Sequence, residues 1–153
     1  MNVADLNVSD LVPHSGAMLL VDRLVGATDT SLHASCTVRN DGLFNLSGDR
    51  VPAMTAIEYM AQAVAAFAGV RSHGKGEPIK PGLLLGARNF TSSDAYLTPG
   101  DNLDITVTLV IEGLNGLAVF DCEIRGPNVH ATARLTVINT DSLSDLAAAA
   151  AVQ

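Results

Sequence analysis

The sequence predicts an α+β fold in which one long central helix is wrapped by an antiparallel sheet of five to six strands. The first observation is an almost wholly apolar run over residues 51–69, long enough for a helix of roughly 18 residues, or about 27 Å. Second, several later segments alternate β-branched or other apolar residues with polar ones, as half-buried strands do. Third, glycine-containing turns separate these segments, which favours antiparallel pairing between neighbours.

Length and composition predict one domain that associates with other chains. The chain has 153 residues, of which 48% are hydrophobic and 16% charged. This balance excludes general disorder and indicates that more surface is buried than a monomer buries by itself. We therefore expect a single domain over residues 1–141 that forms a homodimer or higher oligomer, followed by an alanine-rich tail over residues 142–153.

The elements are predicted in chain order from turn signals and periodicity. Pro52 suits the first turn of the helix, and Gly69, with Gly74 and Gly76 beyond it, supplies the predicted stop signals. Because the helix is apolar nearly all round, both the sheet and a partner are expected to cover it. The other predicted elements are an irregular or short helical segment (8–20), strands at 19–25 and 31–39, a loop (40–50), and strands at 82–90, 103–111, 117–125 and 129–138.

Several classes of protein are disfavoured. Cys36 and Cys122 lie in strand-like segments without CxxC spacing, so both are predicted to be reduced core residues. The first residues lack the basic and apolar regions of a signal peptide, which predicts a cytoplasmic location. Glu58 and Gln62 interrupt the apolar helix, so a membrane span is not expected. None of the four histidines has a metal-like spacing to another ligand, and no metal or other cofactor is predicted.

Charge is unevenly distributed along the chain. The net charge of −7 argues against nucleic-acid binding, because phosphate recognition needs a basic surface. Four of the nine basic residues nevertheless fall in one segment that has Glu77 as its only acid. This segment is either a solvated loop or a docking patch for an acidic partner. The four basic residues are Arg71, Lys75, Lys80 and Arg88.

Glu58 is the leading candidate for chemistry, because it stands in the middle of the apolar helix. Burial disfavours the charged form of a carboxylate, which is the usual way in which proteins keep a general acid protonated near neutral pH. Thr55 and Gln62 share its helix face at spacings of three and four residues. The same polar stripe also has a purely structural interpretation, in which hydroxyl and amide groups satisfy a buried carboxylate.

Three motifs, in the right order, resemble those of the 3-hydroxyacyl-[acyl-carrier-protein] dehydratases, which have the hotdog fold. Residues 11–23, with His14 after a proline, resemble the opening motif of that family. Residues 58–63 are similar to the helix stretch that carries its catalytic carboxylate, and residues 96–103 resemble its Pro-Gly-Asp strand start. The branch associated with aryl polyene biosynthesis is closer still, through residues 51–53 with 57–63, residues 84–88 and residues 120–125.

The resemblance implies dehydration of 3-hydroxyacyl thioesters, carried on acyl carrier protein, to trans-2-enoyl thioesters. It places Glu58 at the departing hydroxyl group and needs a histidine as the base for the proton next to the carbonyl. The Gly-His-Phe-Pro motif that supplies this histidine in the family has no counterpart over residues 42–52, which contain no histidine. His14 is the best substitute, although a histidine after proline also has a structural interpretation as a turn cap.

The resemblance further implies an apolar tunnel for the acyl chain and an acidic carrier protein as partner. The expected substrate-binding residues are Ile57, Met60, Ala61, Gln62, Gly82 and Gly86. The basic segment is the expected docking surface for the carrier protein. Two alternatives stay open at this point: a non-catalytic or half-active subunit that pairs with a complete dehydratase, and an acyl thioesterase that uses the helix carboxylate to activate water.

Overall fold

The computed structural model describes residues 2–42, 44–45, 50–80 and 82–139. These residues form three short 3₁₀ helices, followed by eight strands and one long helix. The 3₁₀ helices are Val3–Asp5, Val8–Asp10 and Gly16–Met18. The other elements are β1 (Arg23–Ala27), β2 (Ser31–Thr37), β3 (Val51–Pro52), α1 (Thr55–Gly74), β4 (Gly82–Ser92), β5 (Tyr96–Leu97), β6 (Asn102–Glu112), β7 (Leu117–Arg125) and β8 (His130–Asn139).

Six of the strands form one antiparallel sheet in the order β1-β2-β6-β7-β8-β4. The remaining two, β3 and β5, pair separately. Strand β4 follows α1 directly in the chain but lies at the edge of the sheet beyond β8. The α+β architecture expected from the sequence, with one long helix against a six-stranded antiparallel sheet, is therefore confirmed.

The core lies between α1 and the inner face of the sheet. Apolar residues on alternate positions of β6 and β7 are buried, including Ile105, Val107 and Phe120. The Phe120 ring meets Phe67 of α1 edge to face, with ring centroids 5.4 Å apart. Both cysteines are free and buried, and burial raises the pKa of each thiol to about 12, so they stay protonated at neutral pH.

The helix boundaries differ from those predicted. The helix begins at Thr55 because Pro52 belongs to β3, where it pairs with Tyr96. It continues past Gly69, the first of the three glycines expected to stop it, and ends at Gly74, the second of them. A Cβ atom at residue 69 would lie only 2.1 Å from the carbonyl oxygen of Leu11. Glycine is therefore required here for the close approach of two backbone segments.

Smaller differences occur at the N-terminal strands. The first strand starts at Arg23 instead of residue 19, and the second ends at Thr37 instead of residue 39. The predicted tail over residues 142–153 lies outside the described residues, as do residues 43 and 46–49 of the predicted loop.

The part of the chain that the structure describes has neither a helix that could span a membrane nor a cluster of potential metal ligands. None of its helices is long and apolar enough to cross a membrane. No three of its histidine, cysteine, aspartate and glutamate side chains are grouped so that they could hold a metal ion. The cytoplasmic location stays a prediction from the sequence.

Candidate active site

The fold brings His14 and Glu58 together. His14 lies between the second and third 3₁₀ helices, on a segment that Leu11 and Val12 anchor in the core. Glu58 projects from the first turn of α1. The Nε2 atom of His14 lies 3.5 Å from Oε1 of Glu58, and the two side chains are 26% and 30% exposed. The carboxylate is thus half-buried and accessible from solvent, where the sequence had suggested full burial.

Gln62 holds Glu58 in position from one turn further along the helix. Its side chain is fully buried, and its Oε1 accepts hydrogen bonds from the backbone N–H groups of Leu20 (2.8 Å) and Val21 (3.4 Å). Its Nε2 donates to the carbonyl oxygen of Met18 at 2.6 Å and to Oε1 of Glu58 at 3.0 Å. Because both ends of the amide are engaged with fixed partners, its orientation is determined by the backbone.

This amide distinguishes the two carboxylate oxygens of Glu58. Oε1 accepts a hydrogen bond from Gln62, so it serves as an acceptor, and it is also the oxygen that lies 3.5 Å from Nε2 of His14. In the protonated acid the hydrogen then belongs on Oε2, because an oxygen that carries the proton accepts hydrogen bonds poorly. The geometry therefore gives Glu58 one anchored oxygen and one oxygen suited to exchange a proton with a ligand.

The imidazole of His14 is held less completely. Its Nδ1 atom is buried and has no hydrogen-bond partner among the residues that the structure describes. An enzyme usually fixes the tautomer of a catalytic histidine by a hydrogen bond to the nitrogen that does not react. That contact is missing from the described part of the chain, although Nε2 already faces the carboxylate.

A cavity of about 270 Å³ begins at this pair and runs between α1 and the sheet. Pro13, His14 and Glu58 line one end, and Arg71, Lys80 and Glu112 contribute to its lining further along the helix. The wall between them is apolar, as expected of a site for an aliphatic or aromatic ligand. Its main helix residues are Ala61, Val64, Ala65, Phe67 and Ala68, and its main sheet residues are Leu83, Leu84, Leu109, Phe120, Val137 and Ile138.

The structure places only some of the residues expected to bind substrate at the cavity. Ala61 and Gly82 line the cavity, and Gln62 lies behind Glu58. Met60 is fully buried in the core, and Ile57 is partly buried against it. Gly86 is exposed on β4. Ile57, Met60 and Gly86 are not among the residues that line the cavity in the described part of the chain.

The four basic residues expected at a docking surface have different surroundings. Arg71 forms a two-pronged ion pair with Glu112, at 3.0 and 3.3 Å. Lys75 caps the C-terminal end of α1 and is exposed. Lys80 lines the cavity, whereas Arg88 is exposed on β4 opposite Arg134 of β8.

Sequence reasoning missed Ala65, Ala68 and Glu112 as cavity residues. The two alanines follow Glu58 and Ala61 at helical spacings of three and four, so periodicity alone was enough to place them on the same side of the helix. Glu112 gave no comparable signal, because it approaches the cavity through a strand pairing that is distant in sequence from α1.

A family model described as "ApeP dehydratase", of the ApeP-like family, matches residues 6–149. The chain belongs to the ApeP-like dehydratase family. This confirms the resemblance to the aryl-polyene-associated branch of the dehydratases. The dehydratase heterocomplex ApeI:P from Xenorhabdus doucetiae is similar in structure, with a TM-score of 0.83 and 29% sequence identity over 92% of this chain and 97% of that one.

More distant structures share the fold with this ApeP-like chain. The PaaI protein from the phenylacetic acid degradation operon of E. coli has a TM-score of 0.58 and 13% identity, over 75% of this chain and 80% of its own. Thioesterase superfamily member 2 of zebra fish has a TM-score of 0.57 and 13% identity, over 76% and 79%. The hotdog fold is thereby confirmed. A search of the curated proteins found no match.

Replacing Gln62 by leucine is expected to lower the free energy of unfolding by about 2–4 kcal/mol, because it leaves the buried Leu20 N–H and Met18 carbonyl groups unpaired. Urea denaturation measures this loss. Asn128→Ala is the matched control, since it removes a side-chain hydrogen bond to Asp101 at the exposed surface and should change stability by less than about 0.5 kcal/mol. Equal losses in both variants would show that Gln62 does not clamp the N-terminal segment.

Proposed function

We propose that this chain converts 3-hydroxyacyl thioesters, carried on acyl carrier protein, to trans-2-enoyl thioesters and water in aryl polyene biosynthesis. The observation that carries the proposal is the contact of 3.5 Å between His14 and Glu58 at one end of an apolar cavity. Membership of a dehydratase family supports this chemistry for the pair. No metal or other cofactor is needed, because both proton transfers use side chains of the protein.

In the proposed reaction, Nε2 of His14 removes a proton from C2 of the acyl chain. Oε2 of Glu58 donates its proton to the hydroxyl group on C3, which leaves as water while the C2–C3 double bond forms. The reaction leaves His14 protonated and Glu58 ionised. A proton then passes from Nε2 of His14 to the carboxylate of Glu58 and settles on Oε2, because Oε1 accepts the hydrogen bond from Gln62; this resets both groups for the next turnover. Each catalytic group supplies a function that elimination next to a thioester carbonyl requires.

The acyl chain is proposed to extend from the catalytic pair along the alanine-lined side of α1. Gly82 lines the cavity at the start of β4, at the end of the sheet that carries Glu112, and its lack of a side chain allows close approach of a ligand to the backbone.

The edge strand β4 supports association with a second hotdog chain. Three consecutive leucines there, Leu83, Leu84 and Leu85, are 44%, 42% and 52% exposed. Native proteins rarely leave a long apolar edge strand uncovered, because it pairs readily with other chains. A second chain on β4 would also cover the side of the cavity that Leu83 and Leu84 line. The heterocomplex from Xenorhabdus doucetiae supports a different dehydratase chain as the partner, with a homodimer as the alternative.

The carrier protein is proposed to dock at the part of the basic segment that Arg88 forms, where it is exposed on β4. Against a chain with a net charge of −7, this side chain attracts an acidic protein. Lys75 and Lys80 lie at and beyond the C-terminal end of α1, on the side of Arg71, and are not assigned to docking.

A half-active subunit is the second candidate function, and two observations favour it. The histidine of the Gly-His-Phe-Pro motif is absent, and Nδ1 of His14 has no partner among the described residues. In this case a second dehydratase chain would supply a missing group to the site.

Assay of the purified chain alone separates the two candidates. We expect a 3-hydroxyacyl thioester on acyl carrier protein to give the enoyl product, followed by mass spectrometry, with wild-type protein and not with His14→Ala. His73→Ala is the matched control. It should leave turnover unchanged, because His73 is exposed near the end of α1. Turnover that begins only after a second dehydratase chain is added would make this chain a partner subunit.

A further inference from the structure

The two ends of the cavity differ in chemistry. One end carries His14 and Glu58, which the proposed function uses, and the other carries Arg71 and Glu112, which it does not use. The α1 residues that line the cavity between these ends are apolar and form no hydrogen bond that would fix the tail of an acyl chain, and the polar lining residues Lys80 and Asn139 come from outside the helix. A limit on the length of the acyl tail is therefore expected at the far end of the cavity.

Arg71 and Glu112 bridge the two layers that enclose the cavity. Arg71 belongs to the last turn of α1, and Glu112 is the final residue of β6. Their two hydrogen bonds, at 3.0 and 3.3 Å, have the paired geometry that fixes a guanidinium most firmly. The guanidinium also lies over the Phe67 ring, 5.4 Å from its centroid, and Phe67 itself lines the cavity. Contacts with Glu112 and with the Phe67 ring thus hold the Arg71 guanidinium at the apolar wall.

The position of this bridge sets a length scale. Arg71 follows Glu58 by 13 residues, which corresponds to about 20 Å along a helix. An extended hydrocarbon chain advances by roughly 1.3 Å per carbon, given carbon–carbon bonds of about 1.5 Å. A tail of roughly 12 to 15 carbons would therefore reach from the catalytic pair to the ion pair. A longer tail must pass the two charged side chains, which are 40% and 48% exposed, and its added methylene groups gain no further apolar contact there.

We propose that the Arg71–Glu112 ion pair, packed on Phe67, closes the far end of the cavity and sets the longest acyl chain that the site accepts. This inference rests on the proposed function for the identity of the ligand as an acyl thioester. It assigns to Arg71 a role in substrate selection that differs from the carrier-protein docking expected from its sequence position.

Binding of saturated acyl-pantetheine thioesters, from octanoyl to octadecanoyl, tests the proposal by isothermal titration calorimetry on the full-length protein. For the wild type, affinity should rise by up to about fourfold per methylene group until the tail reaches the ion pair, and then stop rising. In the double variant Arg71→Ala with Glu112→Ala, the rise should continue. The longest probes should bind at least about tenfold tighter to the variant than to the wild type, whereas the shortest should bind equally.

The double variant Arg134→Ala with Asp121→Ala is the matched control. It removes an arginine–carboxylate pair of similar exposure that joins β7 to β8 and does not line this cavity. It should retain the wild-type dependence on chain length. In the opposite direction, Ala65→Leu narrows the apolar wall and should move the limit to shorter chains.

Identical dependence on chain length in the wild type and the Arg71/Glu112 variant would overturn the proposal. The measurement needs no turnover, so it is separate from the dehydratase assay. A shifted limit without enoyl formation would contradict the proposed reaction alone, whereas turnover with an unshifted limit would contradict the role of the ion pair alone.

Discussion

Glu58→Gln is expected to reduce enoyl formation by about 10²–10⁴-fold, the usual contribution of one general acid. Glutamine has nearly the same shape and keeps an oxygen that accepts the hydrogen bond from Gln62. It has no acidic proton for the departing hydroxyl group, and it has no carboxylate to take the proton back from His14. The loss is therefore expected in the chemical step, with little change in substrate binding. Single-turnover measurements on 3-hydroxyacyl thioesters distinguish these two effects.

Glu77→Gln is the control for this variant. Glu77 is an exposed acid just beyond α1, so its substitution removes the same charge without affecting the site. Its activity and thermal unfolding should match those of the wild type. Should Glu58→Gln keep activity within about threefold of the control, Glu58 would not be the proton donor. If the chain works only beside a second dehydratase, the same comparison is made in the mixed complex.

Gly69→Ala is expected to give the largest loss of stability, at least about 3 kcal/mol, because the added Cβ has no space. It would lie 2.1 Å from the carbonyl oxygen of Leu11 and 2.9 Å from its Cβ. The obstacle is largely backbone, so no side-chain rotation relieves the overlap. The segment that carries His14 must move away from the helix instead. Thermal denaturation measures the loss, and enoyl formation should fall with it, since the histidine is displaced.

Gly74→Ala provides the comparison within the same helix. A Cβ at the last residue of α1 meets nothing within 4 Å, so alanine should stabilise the protein by up to about 1 kcal/mol through its helix propensity. Opposite signs for the two glycines are the expected result. Destabilisation of similar size at both positions would mean that helix propensity, and not contact with Leu11, decides the outcome at Gly69.

The alternation of apolar and polar residues was sufficient to predict the strands that form the middle of the sheet. Strands β6, β7 and β8 alternate apolar and polar residues, and short turns join them, so their bounds were predicted to within one residue. The helix bounds were not predicted, because distant contacts decide them. Pro52 pairs with Tyr96 in β3, and Gly69 lies inside the helix, at the point where the backbone of Leu11 comes too close for any side chain. No local pattern reports either contact.

The same division applies to the candidate site. Glu58 was identifiable because a carboxylate interrupts an apolar helix, and His14 because it stands in a recognisable motif. Their proximity was not predictable, since it depends on how the N-terminal segment crosses the helix. The Arg71–Glu112 ion pair was equally hidden, because a surface arginine and a surface glutamate are ordinary in isolation.

The segment from Leu11 to Val21 is attached to α1 at two places, through Leu11 against Gly69 and through Leu20 and Val21 on Gln62. His14 lies between these attachments, so its motion follows that of the helix that carries Glu58. The backbone that carries the base is therefore attached to the helix that carries the acid. Outward displacement of the sheet by a bulky acyl chain is expected to change the width of the cavity more than the separation of these two backbone segments.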